Sequence, residues 1–474
     1  MSASVRSVEL VESEGPDHDG DPTARGPDRG WLRRHPWWVA GATVLLVGVL
    51  AVLQSGADAA DRERVQALSH VTAMLAPLDG SLEVAWQLDA SHAAAVWNEP
   101  AAGVIVSGIE QGAAFTLRGT DTTTGHDLWS TPVRPVPGPS AWAWCLSAER
   151  GADAVLVCSG ATADGIWEAT ARARPLWVVE PRTGRLLAQQ LVPFSAQVAV
   201  QGSHLLVARP LDGGRWRIVA TDPVTQAVAW TFTTEQLPKT APHPGSAQLL
   251  ADDGGLVLAV PGHAWSLTGD GRERSSVDVP DDVQWKAVRE GVALGIALGV
   301  PKTAGEPRST VLLPDGTAVQ TTDGELPVSP DDGSAAGTYF STDLSDGGSL
   351  LARSAVDGSV LWRADIVAMS ALLLDDRLVV SSHDALAAFD ARTGRVLWHR
   401  TPGQPVTQIS TDGRSVVVTH DSTRVEAFAV ADGSRAWSTD VQQLLAADIG
   451  SVGFYGLTGR LLAALGDGAV VALR

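Results

Sequence analysis

The sequence predicts an all-β protein, a β-propeller of four-stranded antiparallel blades, preceded by one apolar N-terminal helix. Three observations lead there. From residue 82 onward a phrase of turn residues and a short strand ending in tryptophan keeps returning. Gly (48) and Pro (27) are frequent enough to place a turn signal every few residues, the punctuation of many short strands. Finally, the chain ends on Gly468-Ala469-Val470-Val471-Ala472-Leu473-Arg474, an inner-strand pattern with no outer partner after it, and Leu82-Glu83-Val84-Ala85-Trp86 has the pattern of that missing partner. Pairing the two would close a ring and remove its exposed edges.

The repeat is clearest in Thr124-Gly125-His126-Asp127-Leu128-Trp129, Asp357-Gly358-Ser359-Val360-Leu361-Trp362, Thr393-Gly394-Arg395-Val396-Leu397-Trp398 and Asp432-Gly433-Ser434-Arg435-Ala436-Trp437. Trp86 and Trp230 close looser copies. Degenerate ones lie at Thr183-Gly184-Arg185-Leu186-Leu187, Gly269-Asp270-Gly271-Arg272 and Asp315-Gly316-Thr317-Ala318-Val319. The spacing averages roughly 44 residues, the length of a four-stranded blade. In the copy at 377–398, Asp390 can accept backbone N–H bonds in the turn and Gly394 can take positive φ. The strand Arg395-Val396-Leu397-Trp398 then ends in an indole large enough to pack against the next blade. Trp86, Trp129, Trp230, Trp362, Trp398 and Trp437 are the blade-closing residues on this reading. A lone hairpin cannot offset its own ordering cost, so the units must stack.

The phrase Ala388-Phe389-Asp390-Ala391-Arg392-Thr393-Gly394-Arg395-Val396-Leu397-Trp398 resembles the repeat of pyrroloquinoline-quinone (PQQ) dehydrogenase type propellers. The resemblance covers about residues 82–474, strongly in the last third and weakly between 240 and 345. It implies eight blades. The tryptophan intervals and a closing blade add up to nine instead, so eight is the expectation, with seven or nine open. The residues after the six tryptophans are Gln87, Ser130, Thr231, Arg363, His399 and Ser438, none of them the Asp of a WD40 repeat.

The resemblance also raises quinoprotein catalysis. Those enzymes carry adjacent cysteines beside the cofactor and Glu, Asn and Asp ligands to calcium. Here the two cysteines are Cys145 and Cys158, asparagine is scarce, and no motif accepts the calcium ligands. The resemblance therefore carries the fold and not the cofactor, and none is expected. Zinc spacings, Gly-x-Ser-x-Gly, a Walker loop and His-Glu-x-x-His are all missing from the sequence, and no catalytic residue is assigned. His263, His383 and His420 each follow a strand and open the turn to the next, which would set them on one face of a propeller. A metal or ligand site there competes with ordinary turn chemistry, and equivalent turns of neighbouring blades stand too far apart to share an ion.

The membrane segment is read from Trp37 to Leu53, an uncharged run extended by the uncharged residues up to Ala57. Arg25, Arg29, Arg33 and Arg34 precede it and only Arg62 and Arg64 follow closely, which orients the N-terminus to the cytoplasm. Ala57-Asp58-Ala59 resembles a signal-peptide cleavage site; the long leader and the length of the run favour an anchor. Domains follow as a disordered cytoplasmic tail (1–36), a transmembrane helix (37–57), a juxtamembrane linker or short helix (58–81) and an extracytoplasmic propeller (82–474). The formal net charge of −19 repels phosphate backbones and excludes nucleic acid as a partner.

Cys145 and Cys158 are expected to pair. Residues 142–146 and 154–158 read as consecutive strands around a turn at 149–153, and the midpoint of the two cysteines falls inside that turn. A symmetric hairpin sets them opposite each other, and the extracytoplasmic side lets such a bond persist. The functional expectation is a membrane-anchored, non-enzymatic binding, scaffolding or sensing module. Its partner would be a protein, peptide or glycan outside the membrane, and residues 37–57 would meet the lipid bilayer. The alternative is an enzyme or cofactor-binding protein with a central-channel site.

Overall fold

The structure is a computed structural model that describes residues 45–46, 63–65, 68, 71, 73–111, 114–133, 141–150, 153–162, 173–236, 247–252, 254–297, 309–346, 348–420, 424–445, 452–457 and 459–474. Two compact units divide the chain at Glu63/Arg64. In the first, Leu45 and Leu46 are helical and exposed. The rest of the run 37–57, and the tail 1–36, lie outside the described residues. Among the described residues no helix is long and apolar enough to cross a membrane.

The second unit is a propeller of nine sheets. The resemblance implies eight blades; the chain has nine, the number that the tryptophan intervals and the closing strand add up to. In chain order, blades 1 to 8 span 104–133, 141–193, 197–233, 248–278, 283–321, 323–367, 370–400 and 406–440. Blade 9 joins three strands of 452–473 to Val84–Leu88. That last pairing is antiparallel, from Val84 opposite Leu473 to Leu88 opposite Val470, so the two ends of the repeat region do close the ring.

Burial explains why such short strands hold together. Strands in the middle of a blade are buried on both faces, as in Gly255–Val260 and Ser415–His420, whereas outermost strands alternate, as in Val228–Thr233. Each blade is therefore an apolar slab that must be covered on two sides. Nine apolar clusters provide this, one at each junction between successive blades, including the junction of blade 9 with blade 1.

The repeated phrase builds the junctions. Asp390 accepts from the backbone N–H groups of Arg392 (3.2 Å) and Thr393 (3.0 Å), and from the Thr393 hydroxyl (2.8 Å). The Thr393 hydroxyl leads in holding its carboxyl below the ordinary carboxylate value. The turn closes with Gly394 N–H donating to Asp390 O (2.8 Å) at φ +70°. The indole of Trp362, from blade 6, lies on this glycine: a Cβ there would come within 2.7 Å of the ring. Its Nε1–H donates to Ala391 O (2.9 Å). Trp86, Trp129 and Trp398 do the same to Thr122, Pro181 and Val430 of the following blade. Trp230 and Trp437 are half-buried, against Gly271 and Gly80. Where the preceding blade ends in Leu187-Ala188 rather than tryptophan, the turn carries Gln226 at φ +61° in place of glycine.

Three departures from regularity matter below. Among the described residues blade 1 has three strands, and the 3₁₀ helix Ala90–Trp97 stands at its inner edge. The buried Asn98 amide bonds Val106 O (2.7 Å), Ala143 O (2.9 Å) and Cys145 N–H (2.9 Å), as an inner strand's backbone would. Blade 7 has a fifth strand, Val328–Asp331, running parallel to Ser370–Leu374. Finally, the segment read as a linker packs as part of the propeller from Arg64 on. Leu68, Met74 and Leu75 are buried, and Leu75 N–H donates to Thr411 O (2.9 Å).

In blade 2, Cys145 and Cys158 are direct partners in the ladder, with Cα atoms 4.0 Å apart, and a disulfide joins them.

Candidate functional site

A groove of about 860 Å³ opens between blades 6 and 7. One wall is the outermost strand of blade 6, Val360–Val367, which contributes Arg363, Asp365 and Val367. The other wall comes from blade 7, with Phe389, Val396 and His399. The turn at 382–385 rims it. Ser382 shapes that turn: its hydroxyl accepts from Ala385 N–H (2.9 Å) and donates to Asp384 (3.1 Å). Val406 N–H donates to His383 O (3.0 Å) and ties the turn to blade 8.

More of the groove's lining is apolar than polar, although Asp365, His383, Asp384 and His399 are also exposed along it. Val367 is 57% exposed, Met369 53% and Val396 57%, three large side chains on one concave surface. Exposed apolar area concentrated in this way marks a contact surface more often than scattered single residues do. Arg363 lines the groove as well. Arg363 pairs with Asp343 (2.5 Å). Burial works to raise the Asp343 carboxyl, but hydrogen bonds from Ser345 and Thr322, with Arg363, hold it below the ordinary value. Such an arrangement can bury an apolar side chain and orient it by its neighbours.

Of the three histidines expected on one face, the groove takes only His383. His263 opens its strand in blade 4, with Nδ1 2.8 Å from Asp278 and its ring against Trp265. His420 is internal: Nδ1 lies 3.0 Å from Pro405 O and Nε2 3.1 Å from Glu426. The three share no ligand set, and among the described residues no group of three or more His, Cys, Asp or Glu is arranged to hold a metal ion. The six tryptophans are junction residues, and the cysteines staple one hairpin; neither set enters the groove. Sequence reasoning missed the groove. Its one signal was the run of apolar residues at outward positions of 360–369, beyond what an edge strand needs.

The family of the outer membrane protein assembly factor BamB matches residues 174–439 and 346–474. The chain belongs to this family. Its repeat propeller, read from the Asp-x-x-Thr-Gly turns and their tryptophans, is thus a BamB-family propeller. No curated protein matches the chain in sequence. Among solved structures, BamB from Moraxella catarrhalis is 16% identical over 83% of this chain and 99% of its own, with a TM-score of 0.44. Sqt1 from Saccharomyces cerevisiae is 9% identical over 81% of this chain and 97% of its own, TM-score 0.42. The dihydro-heme d1 dehydrogenase NirN is 11% identical over 78% and 77%, TM-score 0.36.

Proposed function

We propose that this BamB-family propeller is a protein-binding scaffold, held at the membrane by residues 37–57 with the propeller on the extracytoplasmic side, and that it performs no chemistry of its own. The observation that carries the reading is the apolar groove between blades 6 and 7, with Val367, Met369 and Val396 open to solvent. Family membership supports a role in assembly, and the arginines before Trp37 support the orientation. The groove suits a partner that inserts one or two apolar side chains, the usual anchor of a protein interface.

Met369→Cys and Val228→Cys test both parts of the proposal. Val228 is a control, 63% exposed on the outermost strand of blade 3. A membrane-impermeant maleimide should label both cysteines on spheroplasts. Labelling only after lysis would overturn the location. A thiol-to-amine crosslinker in intact cells should give a discrete protein adduct from position 369 and none from 228. Equal yields from both positions would sink the groove as the contact surface.

A further inference from the structure

A polar chain crosses blade 1 from its inner to its outer edge. His92, on the 3₁₀ helix, places Nδ1 3.1 Å from the Ser107 hydroxyl on the first strand. Its Nε2 is 3.3 Å from Nη1 of Arg118 on the middle strand. The same Nη1 lies 3.1 Å from Asp127 on the outer strand, and Asp127 also accepts from the Thr120 hydroxyl (3.0 Å). Thus all four elements of the blade are tied in order.

The chemistry of the partners assigns the proton on His92. A guanidinium has donors only, so Nε2 must accept from Arg118. The single ring proton is then on Nδ1 and is donated to Ser107. The ring is 3% exposed, so water cannot readily replace either contact. A second proton would have to go on Nε2, against an arginine that offers it no lone pair.

We propose that His92 is an acid-sensitive latch: protonating it breaks the contact with Arg118 and releases the 3₁₀ helix from blade 1. The helix is the part of blade 1 nearest the ring's closure. Ala95 and Val96 pack with Trp86, Leu462 and Val470 of blade 9 in one apolar cluster. Release therefore loosens the junction where the N- and C-terminal strands of the propeller meet. Charged groups act on the ring from each side. Burial is the largest influence and lowers its proton affinity below the ordinary value, Arg118 lowers it further, and Asp127 and Asp89 oppose them. Asp89 caps the helix, accepting from Ser91 N–H (2.8 Å).

The sign follows from linkage. Above the unfolded value of about 6.5 both states carry a neutral ring, and the junction has its full stability. As pH falls below that value the unfolded chain takes up a proton that the folded ring refuses, so stability is lost until the lower folded value is reached. His420 is placed differently, with both of its nitrogens facing acceptors.

The test is the melting temperature of the full-length protein in mild detergent from pH 7.5 to 4.5. The wild type should lose at least ~2 °C between pH 6.5 and 5. His92→Gln keeps an acceptor toward Arg118 without titrating, and should flatten that segment of the profile. Arg118→Met removes the opposing cation and should flatten it as well, from a lower starting value. Hydrogen exchange at 90–98 should speed up in the same window in the wild type alone. Superimposable pH profiles of wild type and both variants would overturn the proposal. So would an NMR titration in which the His92 ring carries protons on both nitrogens at pH 7.5, and that measurement stands even if a variant fails to fold.

Discussion

The junction of blades 7 and 8 and that of blades 5 and 6 serve the same end by different chemistry. At the first, Trp398 lies on Gly433 and donates to Val430 O (2.9 Å). At the second, Val319 occupies the place of the tryptophan, over Gly358. Polar staples hold this region in addition. Arg289 of blade 5 donates to the carbonyls of Ala335 (2.9 Å), Ser334 and Thr338, and pairs with Asp331 (3.3 Å). Next to it Asp252 of blade 4 accepts from Gly254, Gly255 and, across the junction with blade 5, Gly291. An aromatic plug relies on burying area, which is non-directional and tolerates a neighbour of almost any sequence. An arginine staple relies on placing several carbonyls within reach of one guanidinium, and its loss leaves them unsatisfied.

The comparison can be broken from either side. Trp398→Ala should have the largest effect, about 3–5 kcal/mol lost in denaturant unfolding, since a buried indole and a hydrogen bond go together. An effect near zero would mean that the ring is replaceable there. Arg289→Met should cost about 3 kcal/mol, because it strands the carbonyls and leaves Asp331 half-buried without its cation. In that variant the Asp331 carboxyl, already raised by burial, should move further up, a shift that carboxyl NMR would detect. Smallest and most discriminating is the turn pair. Gly394→Ala should cost about 1–3 kcal/mol, for a Cβ at positive φ beneath the Trp362 indole. Gln226→Gly, at the turn with no tryptophan above it, should be neutral or gain up to about 1 kcal/mol. Equal costs at the two sites would show that the indole does not demand the glycine.

What the sequence could tell tracks this same division. The tryptophan junctions were legible, because Asp390, Gly394 and Trp398 are each required by residue type at a fixed spacing. The closing strand and the facing cysteines were legible for a similar reason: strand period and hairpin symmetry place side chains without reference to the rest of the fold. The Arg289 staple was not, since its acceptors are main-chain carbonyls and any residue supplies one. Likewise the 3₁₀ helix hides in Ala90-Ser91-His92-Ala93-Ala94-Ala95, a stretch without any of the repeat's turn residues. His420 is expected to open a turn because it follows a strand; its partner Glu426 comes from the next strand, across the hairpin. The blade count, expected as eight with seven or nine open, is the nine that the tryptophan intervals and the closing strand add up to. The groove is the least legible of all, because it is a gap between two blades and not a property of either.

Closure of the ring through Val84–Leu88 and Val470–Leu473 sets the order in which the propeller can be completed. These strands lie at opposite ends of the repeat region, so the contact that seals the ring is among the most distant in sequence that the chain makes. As the chain emerges, Val84–Leu88 has no neighbour to pair with, and it waits as an open strand while eight blades form behind it. Blades 2 to 8 can form as local hairpins stacking on their predecessors, whereas the last step is a search over nearly the whole propeller. A chain whose closing pair has not formed would therefore be largely folded yet adhesive at one edge, and the hazard of aggregation lasts until those two strands meet.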